Sequence, residues 1–112
     1  MNAIELVPSP SHWNTFRRSK ERFVPETSGC YVLSTFSGVV LYIGQATNLR
    51  RRMNNHLDDP NKTESTVFGR AALFHWLECS QIATIERTWM NIHIQHDGVL
   101  PVLNRTYAPV ST

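Results

Sequence analysis

The chain holds two cysteines in 112 residues, Cys30 and Cys79, far apart and with no CxxC pair. That spacing excludes a thiolate zinc site, and that number excludes a disulfide framework. Both lie in stretches that read as strands, where cysteine acts as a small buried hydrophobe. No apolar run approaches the roughly 20 residues of a helical membrane span, and Pro8 and Pro10 interrupt the basic-then-apolar order of a secretory signal. The expectation is a cytoplasmic protein without a membrane anchor. Internal repeats and low-complexity runs are also missing. A large net charge is missing too, the balance being +2.

What is present suits one soluble domain, long enough for a single hydrophobic core and too short for two. The modest charge is unevenly placed. Residues 1–57 carry seven Lys/Arg against three Asp/Glu, whereas residues 58–112 carry four against six. A basic half on a nearly balanced chain is the footprint of a polyanion-binding face, or else a solvated helix surface around Arg17, Arg18, Lys20 and Arg22.

The stretch Gly29 to Leu57 organises the rest. Cys30 to Phe36 is a β-branched and aromatic run, Ser37-Gly38 signals a turn, and Val39 to Ile43 is a second such run, which together predict a hairpin. Gly44 ends the second strand. Thr47 or Asn48 then caps a helix on which Leu49, Met53 and Leu57 recur every four residues. Alternation puts Tyr31 on one face with Leu33 and Thr35, and Tyr42 with Val40 and Gly44. Arg52 and His56, four apart, are neighbours beside the apolar stripe of the helix. Two phenols, a guanidinium and an imidazole can therefore converge where hairpin meets helix.

Upstream, residues 1–27 read as a partly helical extension. Ser11 caps a short helix through about Arg22, with Trp13 and Phe16 on one side and Pro25 ending it. Arg17 and Arg18 are candidates for contact with nucleic-acid backbone, because guanidinium groups match phosphate oxygens bidentately. Downstream, residues 58 to about 66 read as a polar loop, and Ala72 to Cys79 as a third strand in which His75 is structural. Ser80 caps a second helix over Gln81 to about Gln95, closed by Asp97-Gly98. Its apolar face is Ile82, Ile85, Trp89, Ile92 and His96, with Glu86 flanking that stripe. His93 and His96 lack a third ligand at useful spacing and are rejected as a metal site. Pro101 to Asn104 leads into a tail.

The triplet Gly29-Cys30-Tyr31, the eleven-residue step from Tyr31 to Tyr42, the triplet Tyr42-Ile43-Gly44 and an arginine ten positions beyond Tyr42 resemble the GIY-YIG endonuclease family. The likeness is densest over residues 29–57 and extends loosely to Asn104. It implies an α+β nuclease domain over residues 28–108, with a small three-stranded, mostly antiparallel sheet flanked by helices. It further implies hydrolysis of DNA phosphodiesters with Mg²⁺ or Mn²⁺ held by Glu86. Arg52 stabilises the transition state in that scheme, a role that suits its planar, permanently charged fork. One of Tyr31 and Tyr42 is the general base, Tyr42 being favoured here, while the other positions groups around the phosphate. His56, fourteen residues after Tyr42, stands where some restriction and homing relatives have histidine, and Asn104 matches the asparagine that braces the site.

Gly44 and Gln45 are expected near substrate phosphate, and Arg50 and Arg51 on other helix faces that touch DNA. Three departures stand out. Cys30 replaces isoleucine, a mild apolar change. Gln45 lies where the DNA-repair branch carries lysine, and the interval from Glu86 to Asn104 is longer than in that branch. The alternative is a catalytically inactive nucleic-acid-binding or interaction domain of the same fold. Room for a targeting domain is lacking, so a homo-oligomer or a separate targeting partner is expected.

Overall fold

A computed structural model describes residues 1–104. The end of the expected domain, residues 105–108, and the tail lie outside the described residues.

The hairpin forms as its turn chemistry dictates. Strands β2 (Gly29–Ser34) and β3 (Val40–Ala46) pair antiparallel, with Gly38 at φ 99° in the turn. A β-bulge interrupts the register, so that Leu33 faces Tyr42 while Ser34 faces Val40. The extra residue turns Val40 to the opposite side of the sheet from Tyr42. The two do not share a face, contrary to plain alternation, although Tyr42, Gly44 and Ala46 do.

The sheet has four strands, not three. Its order is β1 (His12–Thr15), β4 (Leu73–Glu78), β2, β3, all antiparallel. The helix expected from Ser11 is absent. His12 to Thr15 pairs instead with Trp76 to Leu73, and a 3₁₀ turn over Arg18–Phe23 follows. The expected helix runs from Ser11 to about Arg22 on the spacing of Trp13 and Phe16; residues 12–15 of that stretch serve equally as an edge strand, and the unpaired side of β4 decides between them. Phe16 is buried on one side of this sheet, whereas Trp13 stays 60% exposed.

Helix α1 (Leu49–Leu57) starts at Asn48, whose side chain accepts from the Arg51 amide. Leu49 and Met53 pack with Tyr31, Leu33, Phe74 and Trp76 on one face of the sheet. A short helix, α2 (Pro60–Thr63), occupies what read as a polar loop; Asp59 caps it and Pro60 opens it. Helix α3 (Ile82–Asp97) covers the other face, where Trp89 and Met90 pack against Cys30, Val32 and Ile43. Its N-cap is Gln81, not Ser80, with no side-chain capping bond, and Gly98 ends it at φ 80°. His93 is buried in this face, while His96 is exposed, so the buried stripe is rotated from the expected one. Cys30 and Cys79 are free thiols. No helix is long and apolar enough to cross a membrane, among the described residues.

Candidate active site

Strand β3 is an edge of the sheet, with α1 and Lys62 of α2 against the face that carries Tyr42 and α3 against the other. The chemistry gathers there. Tyr31 projects from β2 under α1 with no exposed surface, its ring stacked on Phe74 at 5.2 Å between centroids. Its hydroxyl lies 2.5 Å from Nε2 of His56. Burial raises the Tyr31 phenol, and it also lowers His56 to about 4, with Lys62 and Arg52 adding to the shift. At neutral pH the imidazole is uncharged.

Tyr42 sits beside this pair, 6.0 Å from the Tyr31 ring and edge-on to His56 at 5.3 Å. It is half-buried, so solvent reaches the one phenol and not the other. Burial raises Tyr42 as well, but the hydrogen bond from Tyr31 and the charge of Arg52 pull in the other direction, against Glu86 and Asp59.

Gln45 joins Arg52 to Glu86. Its backbone carbonyl accepts from Nη1 of Arg52 at 3.3 Å, and its side-chain amide donates to Oε1 of Glu86 at 2.9 Å. Glu86, in the second turn of α3, is raised by burial, while the Gln45 bond and Arg52 lower it. The positive charge of Arg52 thus acts on Tyr31, Tyr42, His56 and Glu86 together. Asn104 clamps the edge of β3: it accepts from the Ile43 amide at 2.9 Å and donates to the Ile43 carbonyl at 3.0 Å. Two backbone groups that the edge would leave unpaired are satisfied by one side chain.

The two motif glycines have steric neighbours. A Cβ on Gly44 would strike the Tyr31 hydroxyl, and one on Gly29 would strike the Leu77 carbonyl across the β2–β4 pair. Gly29 is thus required inside the strand by close backbone approach.

The remaining arginines separate. Arg50 donates to the carbonyls of Val24 and Arg22 at 2.8 and 3.1 Å and lies 3.7 Å from Glu26, so its fork fastens the N-terminal segment to α1. Arg18 is bound to Asn54 and Asp58. These two expected substrate contacts already have protein partners. Arg17 and Arg51 are exposed. His75 is buried on the α3 side, its Nε2 2.7 Å from the Ser34 hydroxyl, apart from the pocket.

Sequence reasoning gave no role to Asp59 and Lys62, which α2 brings against Tyr42. It also missed the stacking of Phe74 under Tyr31. Asp59-Pro60 is the start signal of a short helix and was the one available cue to the first of these.

The donor set suits a hard cation that keeps most of its water. Among the described residues no three His, Cys, Asp or Glu side chains group to hold a metal. Glu86 offers a single carboxylate with one oxygen on Gln45, which fits magnesium and not zinc.

A family model described as the GIY-YIG catalytic domain matches residues 27–95. UvrABC system protein C of Borrelia duttonii is 30% identical over 107 residues, covering 85% of this chain and 17% of that protein. The protein of the same name from Methanococcus maripaludis is 38% identical over 47 residues, covering 39% and 9%. The chain therefore spans less than a fifth of the length of these relatives. Among solved structures, the GIY-YIG N-terminal endonuclease domain of UvrC from Thermotoga maritima, a point mutant bound to its catalytic divalent cation, superposes with a TM-score of 0.52. That match is 25% identical and covers 78% of this chain and 92% of the other. The magnesium-bound form of that domain gives 0.53 at 23% identity, covering 78% and 93%.

Proposed function

The chain belongs to the GIY-YIG catalytic-domain family, and we propose that it is an endonuclease that hydrolyses DNA phosphodiester bonds with one divalent metal ion. The observation that carries this reading is the link from Arg52 through Gln45 to Glu86, laid beside two tyrosines and a neutral histidine.

Glu86 would hold Mg²⁺ or Mn²⁺, with water and phosphate oxygens as the other ligands. When bound, the ion supplies Lewis-acid stabilisation of charge on the phosphate and the departing oxygen. Tyr42 is the general base, because it is the phenol that water reaches; burial disfavours its anion, and Arg52 and the Tyr31 hydroxyl offset part of that. Once the Tyr42 phenol has released its own proton to solvent, the phenolate takes a proton of the attacking water as the water oxygen bonds to phosphorus. The bond to the departing oxygen breaks, and that oxygen leaves as an alkoxide that takes a proton from solvent. Arg52 presents two parallel donors to the nonbridging oxygens as their charge grows. His56 holds the Tyr31 hydroxyl, and through it Tyr42, in place.

Asn104 keeps the Ile43 backbone, between Tyr42 and Gly44, at a fixed height. Arg17 and Arg51, exposed and basic, contact the phosphates of flanking DNA. Substrate choice comes from a targeting partner or a second copy of the chain, acting on DNA in the cytoplasm. Incubation of supercoiled plasmid with purified protein and Mg²⁺ tests the reading: nicking is expected, and a protein inert with every divalent metal contradicts it.

A further inference from the structure

The segment after α1 carries chemistry as well as connecting elements. Asp59 caps α2 by accepting from the Asn61 amide at 2.9 Å. From the same short helix Lys62 reaches back over the pocket, its Nζ 4.8 Å from the centre of the Tyr42 ring. The Lys62 side chain is only 16% exposed, although a lysine beside solvent normally keeps its ammonium hydrated. Its ammonium faces the Tyr42 ring and forms a loose ion pair with Asp59, whose Oδ2 stands 3.9 Å away.

That distance is beyond a hydrogen bond, so the pair is exchangeable. Arg50 is the contrast, with Nε bonded to a backbone carbonyl at 2.8 Å. Lys62 also acts on the buried imidazole: together with Arg52 it disfavours a charge on His56. Tyr42 and His56 therefore lie within the field of two cations carried by different helices. The carboxylates nearby are Glu86, engaged by Gln45, and Asp59.

We propose that Lys62 is a second phosphate-binding cation of the pocket, exchanging the Asp59 carboxylate for a nonbridging oxygen of the bound DNA strand beside Tyr42. The inference rests on the nuclease reading above and adds a residue to it. Lysine acts here as a point charge at the end of a flexible stem, so arginine can replace it while an uncharged side chain of the same length cannot.

The test is steady-state cleavage of a short fluorescent DNA duplex with Mg²⁺, repeated between about 50 and 200 mM KCl, for the full chain and for Lys62→Met and Lys62→Arg. Methionine preserves the stem and removes the charge. Lys62→Met is expected to unfold at the parent temperature and to raise KM on the order of tenfold. It should also make the plot of log(kcat/KM) against log[KCl] shallower by about 0.9, the share of one phosphate contact. Lys62→Arg is expected to stay close to the parent. Unchanged KM and salt slope in Lys62→Met overturn the proposal while leaving the nuclease reading intact. So does an equal loss in Met and Arg variants, which would mark a packing role. A parent chain that cleaves nothing fails the nuclease reading itself, and the proposal with it.

Discussion

Replacing Tyr42 with phenylalanine removes one oxygen and leaves the ring against His56 and Lys62, so the effect on rate isolates the hydroxyl. A general base contributes about 10²–10⁴-fold, and cleavage by Tyr42→Phe is expected to fall by that factor with the thermal midpoint nearly unchanged. Tyr31→Phe should retain more activity, because it removes a positioning hydroxyl. The reverse order in a plasmid-nicking time course would assign the base to Tyr31 and its bond to His56. Gly44→Ala sets a Cβ against the Tyr31 hydroxyl, and Phe74 and His56 deny that ring an escape. Lower stability and lost cleavage are expected together, on the order of 1–3 kcal/mol by urea unfolding. At this scale the spacing of Tyr31, Tyr42 and Arg52 was readable from the sequence, since a hairpin and the next helix fix it locally. Lys62 was not, because its contact with Tyr42 depends on how α2 folds back, which no periodicity encodes.

Among the elements, the free edge of β3 depends on Asn104, a residue 61 positions from its partner. Asn104→Ala would leave the buried amide and carbonyl of Ile43 without that partner, costing about 1–3 kcal/mol in denaturant unfolding. Cleavage should fall further than stability alone explains, since Ile43 lies between Tyr42 and Gly44. An Asn104→Ala protein with parental stability would show that the edge is satisfied in another way. The same contrast explains what the sequence disclosed about architecture. The β2–β3 hairpin and α1 announce themselves through turn, cap and stripe, all within a few residues. Strand β1 does not, because its partner β4 lies about sixty residues downstream and only that pairing turns His12 to Thr15 into a strand. The bulge that separates Val40 from Tyr42 is likewise a product of pairing.

For the whole molecule, buried histidines couple folding to pH, His56 and His75 most strongly and His93 in the same direction. His56 and His75 are each lowered from 6.5 to about 4 by burial, so both are neutral in the folded protein where the unfolded chain would protonate them. Their contribution is complete above pH 6.5 and is lost as pH falls toward 4, each amounting to about 3 kcal/mol at most. Urea unfolding across that window should show the decline, and His75→Gln, which removes one titration outside the active site, should flatten it. A stability independent of pH between 4 and 6.5 would contradict the burial of both rings. The charge asymmetry read from the sequence also changes meaning at this scale. Arg18 and Arg50 hold the N-terminal segment to α1, so the basic half is partly internal fastening, with Arg17 and Arg51 left exposed.

If Arg52 and Glu86 serve the same phosphodiester cleavage, removal of either side chain abolishes it. The direct measurement is nicking of supercoiled plasmid with Mg²⁺ by the parent, Arg52→Ala and Glu86→Ala, each shown to be folded. Nicking by the parent, reduced at least about 10²-fold in both variants, is the predicted result. Undiminished nicking by either folded variant would contradict it.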